Sequence, residues 1–288
     1  MHLLIYLLTY PLIKFISILP FKLVYKLSDF LSYLLHKVFK YRLKTVQKNL
    51  KLVFNNKEKN ELEEIEKKFY NHFADISIES IKAFGMSKKQ MKERYSYENI
   101  EKLEEIQKKN KNIILICGHY SNFEWLLSIG YNVKGNGYGI YTPMTNKYFD
   151  RLFKKIRGKH NAFLVSRYNI NDFMNNLDIN KYHLFGFASD QSPRKIGKSY
   201  ISEFLGHKVP IFTGAERFSN DYGLSVVFAD ITRTKRGHYK TKFIEIIDKK
   251  DTTYSITDQF LRLLEDQIYR DPSQYFWTHN RFKHLRTN

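Results

Sequence analysis

The run Ile113-Ile-Leu-Ile-Cys117 is five consecutive apolar residues, too short for a stable helix and rich in β-branched side chains. Such a strand has no polar face, so it must be covered on both sides, which is the condition of a strand inside an α/β sheet. Similar runs recur at Phe163–Val165, His183–Ala188 and Leu224–Phe228. Helical patterns at Tyr148–Arg157, Asp172–Leu177 and Gly214–Asn220 lie between them. The alternation predicts an α/β fold: a mixed, partly parallel sheet flanked by helices. Ile231–Arg233 and Tyr239–Ile247, joined through Arg236-Gly237, predict an antiparallel hairpin added to it. Asn60–Phe84 predicts a long helix stopped at Gly85, Ile100–Lys109 a charged helix, and Ile256–Tyr269 the last one. Gly135-Asn-Gly-Tyr-Gly139 lacks dinucleotide-binding spacing and reads as a turn.

The first fifth of the chain is different. Residues 1–57 hold ten Lys/Arg against the single acid Asp29, within an overall formal charge of +19. Leu3–Ile13 is uncharged but falls short of the roughly 20 residues that cross a bilayer. With Lys14 included the apolar stretch reaches Phe21, interrupted by Pro11 and Pro20, and no small-residue cleavage site follows. From Phe21 to Lys40, Leu23/Val24, Leu27, Phe30/Leu31, Leu34/Leu35 and Val38 recur at helical spacing, with Lys22, Lys26, Asp29, Ser32, His36 and Lys40 opposite. An apolar face flanked by lysines suits a helix lying in an anionic membrane interface; a single true span and a core-packing helix are the alternatives. The expected organisation is therefore a hydrophobic and amphipathic helical membrane-association segment, 1–57, followed by one domain, 58–288.

Composition removes several classes. A single cysteine rules out a disulfide framework, and 43% hydrophobic residues rule out wholesale disorder. The excess of positive charge points to an anionic partner. Nucleic acid is disfavoured, because the charge concentrates beside an apolar N-terminus and the common nucleic-acid-binding motifs are missing.

In open α/β sheets, sites collect at the carboxyl ends of strands. There the first run leads into Gly118-His119-Tyr-Ser-Asn-Phe-Glu124, the next into Ser166-Arg167, and the third into Asp190-Gln191. His119 and Glu124 are five residues apart, about 140° of rotation on a continuous helix. They meet only if His119 lies on a turn and Glu124 in the first helical turn after it. Glu124 would then accept from the imidazole Nδ1–H and leave Nε2 as a general base. Ser121-x-x-Glu124 before Trp125-Leu-Leu also reads as a helix-capping box, and spacing alone leaves both readings open. Cys117 shares a strand face with His119, and a small buried strand residue accounts for it better than a nucleophile. No histidine or carboxylate cluster has metal-ligand spacing.

His119-x4-Glu124, set in Gly-His-Tyr-Ser-Asn-Phe-Glu-Trp, resembles the motif of the lysophospholipid acyltransferase superfamily. Further blocks follow in order: Tyr41-Arg-Leu-Lys-Thr-Val-Gln-Lys-Asn-Leu50, Tyr141-Thr-Pro-Met-Thr-Asn146, Ser166-Arg167, Asp190-Gln-Ser-Pro193, Phe204-Leu-Gly206 with Thr213-Gly214, and Trp277-Thr-His-Asn-Arg-Phe-Lys283. The ordered set resembles the lipid A late acyltransferases, the lauroyl/myristoyl acyltransferases of Gram-negative bacteria, over nearly the whole chain. The resemblance implies transfer of a fatty acyl group from a thioester, typically on acidic acyl carrier protein, to a hydroxyl of a lipid A precursor. It implies His119 and Glu124 as the catalytic pair, no metal or organic cofactor, and a place on the cytoplasmic face of the inner membrane. It implies Arg167 for acceptor phosphate or the oxyanion, and Asp190 to orient Arg167 or a substrate hydroxyl. Gln191, Asn122, Tyr141 and Pro143 are the further substrate-binding residues expected. Another lipid acceptor, an aminolipid or glycerolipid, fits the same motif.

Overall fold

In the computed structural model, described for residues 1–109, 112–160, 162–193 and 199–285, the chain begins with helices α1 (His2–Ile18), α2 (Phe21–Tyr33), α3 (Leu43–Val53), α4 (Lys59–Lys82) and α5 (Lys88–Arg94). Then come β1 (Tyr95–Glu98), α6 (Ile100–Lys109), β2 (Asn112–Cys117), β3 (Asn136–Tyr141), α7 (Lys147–Arg157), β4 (Ala162–Ser166), α8 (Ile170–Asn175) and β5 (His183–Ala188). The hairpin β6 (Tyr200–Phe204) and β7 (His207–Ile211), α9 (Gly214–Tyr222), β8 (Ser225–Lys235), β9 (His238–Ile246) and α10 (Ser255–Arg270) complete it. Seven strands form one sheet in the order β1-β9-β8-β2-β5-β3-β4, parallel except for the antiparallel β8–β9 pair.

The predicted central strand is β2, buried at all six positions between β5 and β8. Its side chains divide between the two faces, as a strand's must. Ile114 and Ile116 join one core with Phe228, Phe260, Leu261 and Leu264. Ile113, Leu115 and Cys117 join the other with Leu103, Ile106, Trp125 and Ile129. Two covered faces explain why the run carries no polar alternation.

Three sequence expectations change. Gly135–Gly139, read as a turn, falls mostly within the strand Asn136–Tyr141 between β5 and β4; Gly135 alone of the five has a left-handed φ, +86°. Glycine weakens strand propensity, so Gly137 and Gly139 hide a strand that pairing on both sides enforces. Leu224–Phe228 and Ile231–Arg233 are one strand, β8, because the Asp230 carboxylate between them is held by Gln267 and Arg270 from α10. The short edge strand β1 and the β6–β7 hairpin were not foreseen.

Helix α2 turns its uncharged polar residues inward and leaves Lys22, Lys26 and Asp29 exposed. Tyr25, Ser28 and Ser32, with His36 in the helical segment Leu34–Val38 that follows, form a ladder on α4: to Glu79 at 2.8 Å, Asp75 at 2.7 Å, Asn71 at 2.6 Å and Glu66 at 2.7 Å. Of its apolar residues Val24 is fully buried, while Leu23, Leu27 and Phe30 are 46, 37 and 60% exposed. Helix α1 likewise exposes Leu4, Leu8, Leu12 and Phe15. Among the described residues no helix is long and apolar enough to cross a membrane. The N-terminal helices are packed onto the body: Val46, Leu50 and Phe54 belong to the same core as the sheet. Lys82 donates to the Ser17 carbonyl at the end of α1, 2.7 Å away. Gly85 lets that end approach, since a Cβ there would lie 2.1 Å from the Ser17 oxygen.

Candidate active site

β2 ends in a tight turn through Gly118 to Asn122. Gly118 lets the turn pack closely on α10, since a Cβ there would lie 2.6 Å from a methyl of Leu264, which would have to move. Ser121 occupies the left-handed region at φ +52°, a conformation that needs outside support in a residue with a Cβ. The segment after α10 supplies it: the Ser121 N–H donates to the Gln274 carbonyl at 3.0 Å, and the Phe276 N–H donates to the His119 carbonyl at 3.1 Å. The rings of Phe123 and Phe276 lie 4.9 and 6.2 Å from the His119 imidazole. The conspicuous tail around Trp277 thus clamps the turn that carries His119.

Parallel pairing in register Cys117↔Ala188 sets His119 and Asp190 side by side, each two residues past the end of its strand. The His119 Nδ1–H donates to Asp190 Oδ1 at 2.6 Å, and the His119 backbone N–H donates to the same oxygen at 3.0 Å. Burial opposes charge on both groups, yet their mutual attraction and hydrogen bonds win. Desolvation pulls the His119 pKa down, but Asp190, with a smaller contribution from Glu124, leaves it raised above 6.5. Desolvation pushes Asp190 up, but His119 holds it down at about 2. The imidazole is fixed with Nδ1 toward Asp190. The remaining ring nitrogen, Nε2, lies 3.2 Å from the Gln191 amide nitrogen.

The expected His119–Glu124 hydrogen bond is replaced by this one. Glu124 instead receives Arg157 at the end of α7 in a two-pronged pair, Nε to Oε2 at 2.8 Å and a terminal nitrogen to Oε1 at 2.5 Å. The physical reason is the turn: the segment after Glu124 is a 3-10 helix, Trp125–Tyr131, and Asp190 already occupies Nδ1. Nor does Ser121 cap that helix. The Trp125 N–H donates to Asn122 Oδ1 at 2.9 Å.

Asn122 is fully buried and faces away from the cleft, donating to Glu79 Oε2 at 2.7 Å. It is a strut, not a pocket residue. Asp190, committed to His119, does not orient Arg167. Burial drives Glu79 up to about 7, even though Tyr239 and Tyr25 donate to its carboxylate. Burial also pushes the Cys117 thiol well up, so it stays protonated, which is the chemistry of a wall residue and not of a nucleophile.

A cavity of about 960 Å³ opens at this edge, and His119, Glu124, Arg157, Arg167, Gln191 and Tyr141 all line it. Pro143 does not, although Thr142 and Met144 on either side do. Tyr141 donates to Asp150 at 3.1 Å, and Asp150 also takes the Met144 N–H, pinning that loop. One side of the cavity, its apolar arm, is the sheet face of Leu115, Gly186 and Gly139, register partners that point the same way, with Leu126, Leu127 and Ile129 also in its lining. The other reaches Phe187, Phe212, Phe218 and the exposed Arg217. Arg167 stands at its rim over the rings of Tyr168 and Phe212. Arg157 and Arg217 were not singled out from sequence. Arg157 ends an ordinary basic helix and Arg217 sits on α9, so only spatial convergence marks them. Among the described residues, no three His, Cys, Asp or Glu side chains gather as a metal site.

The arrangement presents an imidazole oriented by Asp190 beside a largely apolar cavity that arginines also line. The chain is 21% identical over 272 residues to the lipid A biosynthesis palmitoleoyltransferase of Escherichia coli strain K12, covering 92% of this chain and 86% of that protein. It is 22% identical over 272 residues to the lipid A biosynthesis lauroyltransferase of the same strain, covering 92 and 87%. A lipid A biosynthesis acyltransferase of Haemophilus influenzae is 24% identical over 255 residues, covering 86 and 79%. Residues 2–284 match the family described as bacterial lipid A biosynthesis acyltransferase. With nearly its whole length inside that match, the chain belongs to the bacterial lipid A biosynthesis acyltransferase family and is an acyltransferase.

Proposed function

We propose that this enzyme transfers a fatty acyl chain from a thioester to a hydroxyl of a lipid A precursor, with His119 as general base. The observation that carries the reading is the 2.6 Å Nδ1–Asp190 hydrogen bond at the mouth of a cavity with an apolar arm. The acceptor hydroxyl displaces the Gln191 amide from Nε2 and gives its proton to that nitrogen. Its oxygen attacks the thioester carbonyl, forming a tetrahedral oxyanion. Collapse breaks the C–S bond, and the departing thiolate takes the proton back from Nε2. The Asp190 charge stabilises the imidazolium between these steps. Glu124 adds negative charge near the imidazole and holds the Arg157 fork at the cavity wall.

Arg167 and Arg217, both exposed at the arginine-bearing arm, suit the phosphate groups of the acceptor. The +19 charge favours an acidic donor such as acyl carrier protein and an anionic membrane surface. The outward apolar faces of α1 and α2 would seat the enzyme on the cytoplasmic face of the inner membrane, residues 1–57 serving as the membrane-associating segment ahead of the acyltransferase domain.

The test is acyl transfer from acyl carrier protein thioesters to a lipid A precursor, comparing wild type with His119→Ala. Product from wild type and almost none from the folded variant is the expected result. Full activity in His119→Ala overturns the mechanism. No product on lipid A precursors, with product on an aminolipid or glycerolipid, replaces the acceptor.

A further inference from the structure

Gly186 occupies the middle of β5, a strand with neighbours on both sides. Glycine there costs strand stability, since it gives up side-chain packing and loses more backbone entropy than any other residue. Nothing in the protein requires it. Its backbone is not in the left-handed region, and a Cβ would meet only the Tyr138 oxygen at 3.7 Å and the Gly139 Cα at 3.9 Å, ordinary contacts. Gly118 and Gly85 differ, because there a Cβ would collide. Gly186 is nevertheless half-exposed although it lies inside the sheet. Its open side faces the apolar arm of the cavity, the part that Leu115, Leu126 and Leu127 also line.

We infer that Gly186 is a specificity-determining residue: the missing side chain leaves room for the donor's acyl chain to pass beyond the middle of β5. The inference rests on the acyl-transfer reading above and deepens it. Asp190 marks the reacting end, and at about 3.3 Å per residue the four positions back to Gly186 span about 13 Å along the strand. Ala188, between them, is small and exposed to the same arm. Leu184, the next residue on that face, is buried. The thioester end of a donor therefore lies near His119, and the middle and tail of a long chain pass over Gly186. Arg167 and Arg217 stand with Phe212 and Phe218, and the charges on this side, Glu124 and Arg157, are paired with each other, which leaves it to an uncharged chain.

The experiment measures transfer from octanoyl, decanoyl, lauroyl, myristoyl and palmitoyl carrier-protein donors to one fixed acceptor, for wild type, Gly186→Ala and Gly186→Leu. A fluorescent long-chain fatty acid, titrated without acceptor, reads chain binding independently of activity. Gly186→Leu should lower the ratio of long-chain to short-chain kcat/KM at least tenfold and weaken the fatty acid probe. Gly186→Ala should shift the ratio the same way by a few-fold. An unchanged chain profile in folded Gly186→Leu overturns the inference, as does an equal loss at every length. A shift that follows the acceptor's chains and not the donor's overturns the assignment of the arm. Should Gly186→Leu fail to fold, Gly186→Ala, for which the space exists, carries the test. Failure of wild type to acylate the acceptor would sink the acceptor reading, while the fatty acid titration would still decide Gly186.

Discussion

Replacing Asp190 by Asn keeps the shape of the site and removes the charge that fixes His119. Asp190 is 2% exposed and its pKa falls from an ordinary 3.8 to about 2. At 1.36 kcal/mol per pKa unit, that pairing contributes about 2 kcal/mol to folding. Because the folded pKa is depressed, the contribution is present above about pH 4 and is lost as pH falls through about 2. Asp190→Asn should therefore be destabilised by about 2 kcal/mol at pH 7 in urea unfolding, with the difference closing in acid. The catalytic effect has two parts. An Asn amide can donate to Nδ1 and place the proton on Nε2, the wrong tautomer for a base. It also removes the main raising influence on His119 while leaving the desolvation that lowers it. The plateau of kcat/KM should fall about 10²- to 10⁴-fold, the range of general-base contributions. The acid limb, which in wild type lies above pH 6.5, should move to lower pH. A variant within a few-fold of wild type, or one whose acid limb stays in place, would refute the reasoning.

Other sites give sharper or milder outcomes. Glu124→Gln leaves Arg157, only 22% exposed in its side chain, without its anionic partner; we expect a loss of about 2 kcal/mol and partial recovery of activity in Glu124→Asp, read by thermal unfolding and transfer assay. Cys117→Ala should retain activity within a few-fold, and native Cys117 should resist maleimide because burial keeps its thiol protonated. Glu79, raised from 4.5 to about 7, destabilises the fold as pH rises through that interval, by about 3 kcal/mol at 1.36 kcal/mol per unit. Glu79→Gln should flatten the stability profile between pH 4.5 and 7, and an unflattened profile measured by urea titration counts against the assignment. Leu27→Glu with Phe30→Glu, both exposed on α2, should lower binding to anionic vesicles at least tenfold, since each apolar side chain inserted contributes about 1 kcal/mol or more; unchanged sedimentation with vesicles would place the membrane contact elsewhere.

Local pattern told much of the fold from sequence. Ile113–Cys117 announced a strand covered on both faces, Asn60–Phe84 a long helix, and Arg236-Gly237 a hairpin, because apolar periodicity and turn chemistry act within a few residues. The carboxyl edge of the sheet, with His119, Arg167 and Asp190 on it, followed from the same reasoning. What pairs with what on that edge did not. His119 joins Asp190 because β2 and β5 run parallel in the register Cys117↔Ala188, and register is a contact between segments about seventy residues apart. Proximity in sequence favoured Glu124 instead, which Arg157 claims from α7. The glycines of β3 masked a strand for a related reason: its stability comes from neighbours on both sides, not from its own propensity. Helix α2 carries an amphipathic pattern that sequence detects but does not orient. Polar groups on α4 at Glu66, Asn71, Asp75 and Glu79 draw in its tyrosine and serines and the His36 that follows it, and leave Leu23, Leu27 and Phe30 outside. Sequence determined which segments fold and which residues have reactive chemistry; tertiary structure decided their partners, since hydrogen bonds and desolvation depend on neighbours that only the packed chain supplies.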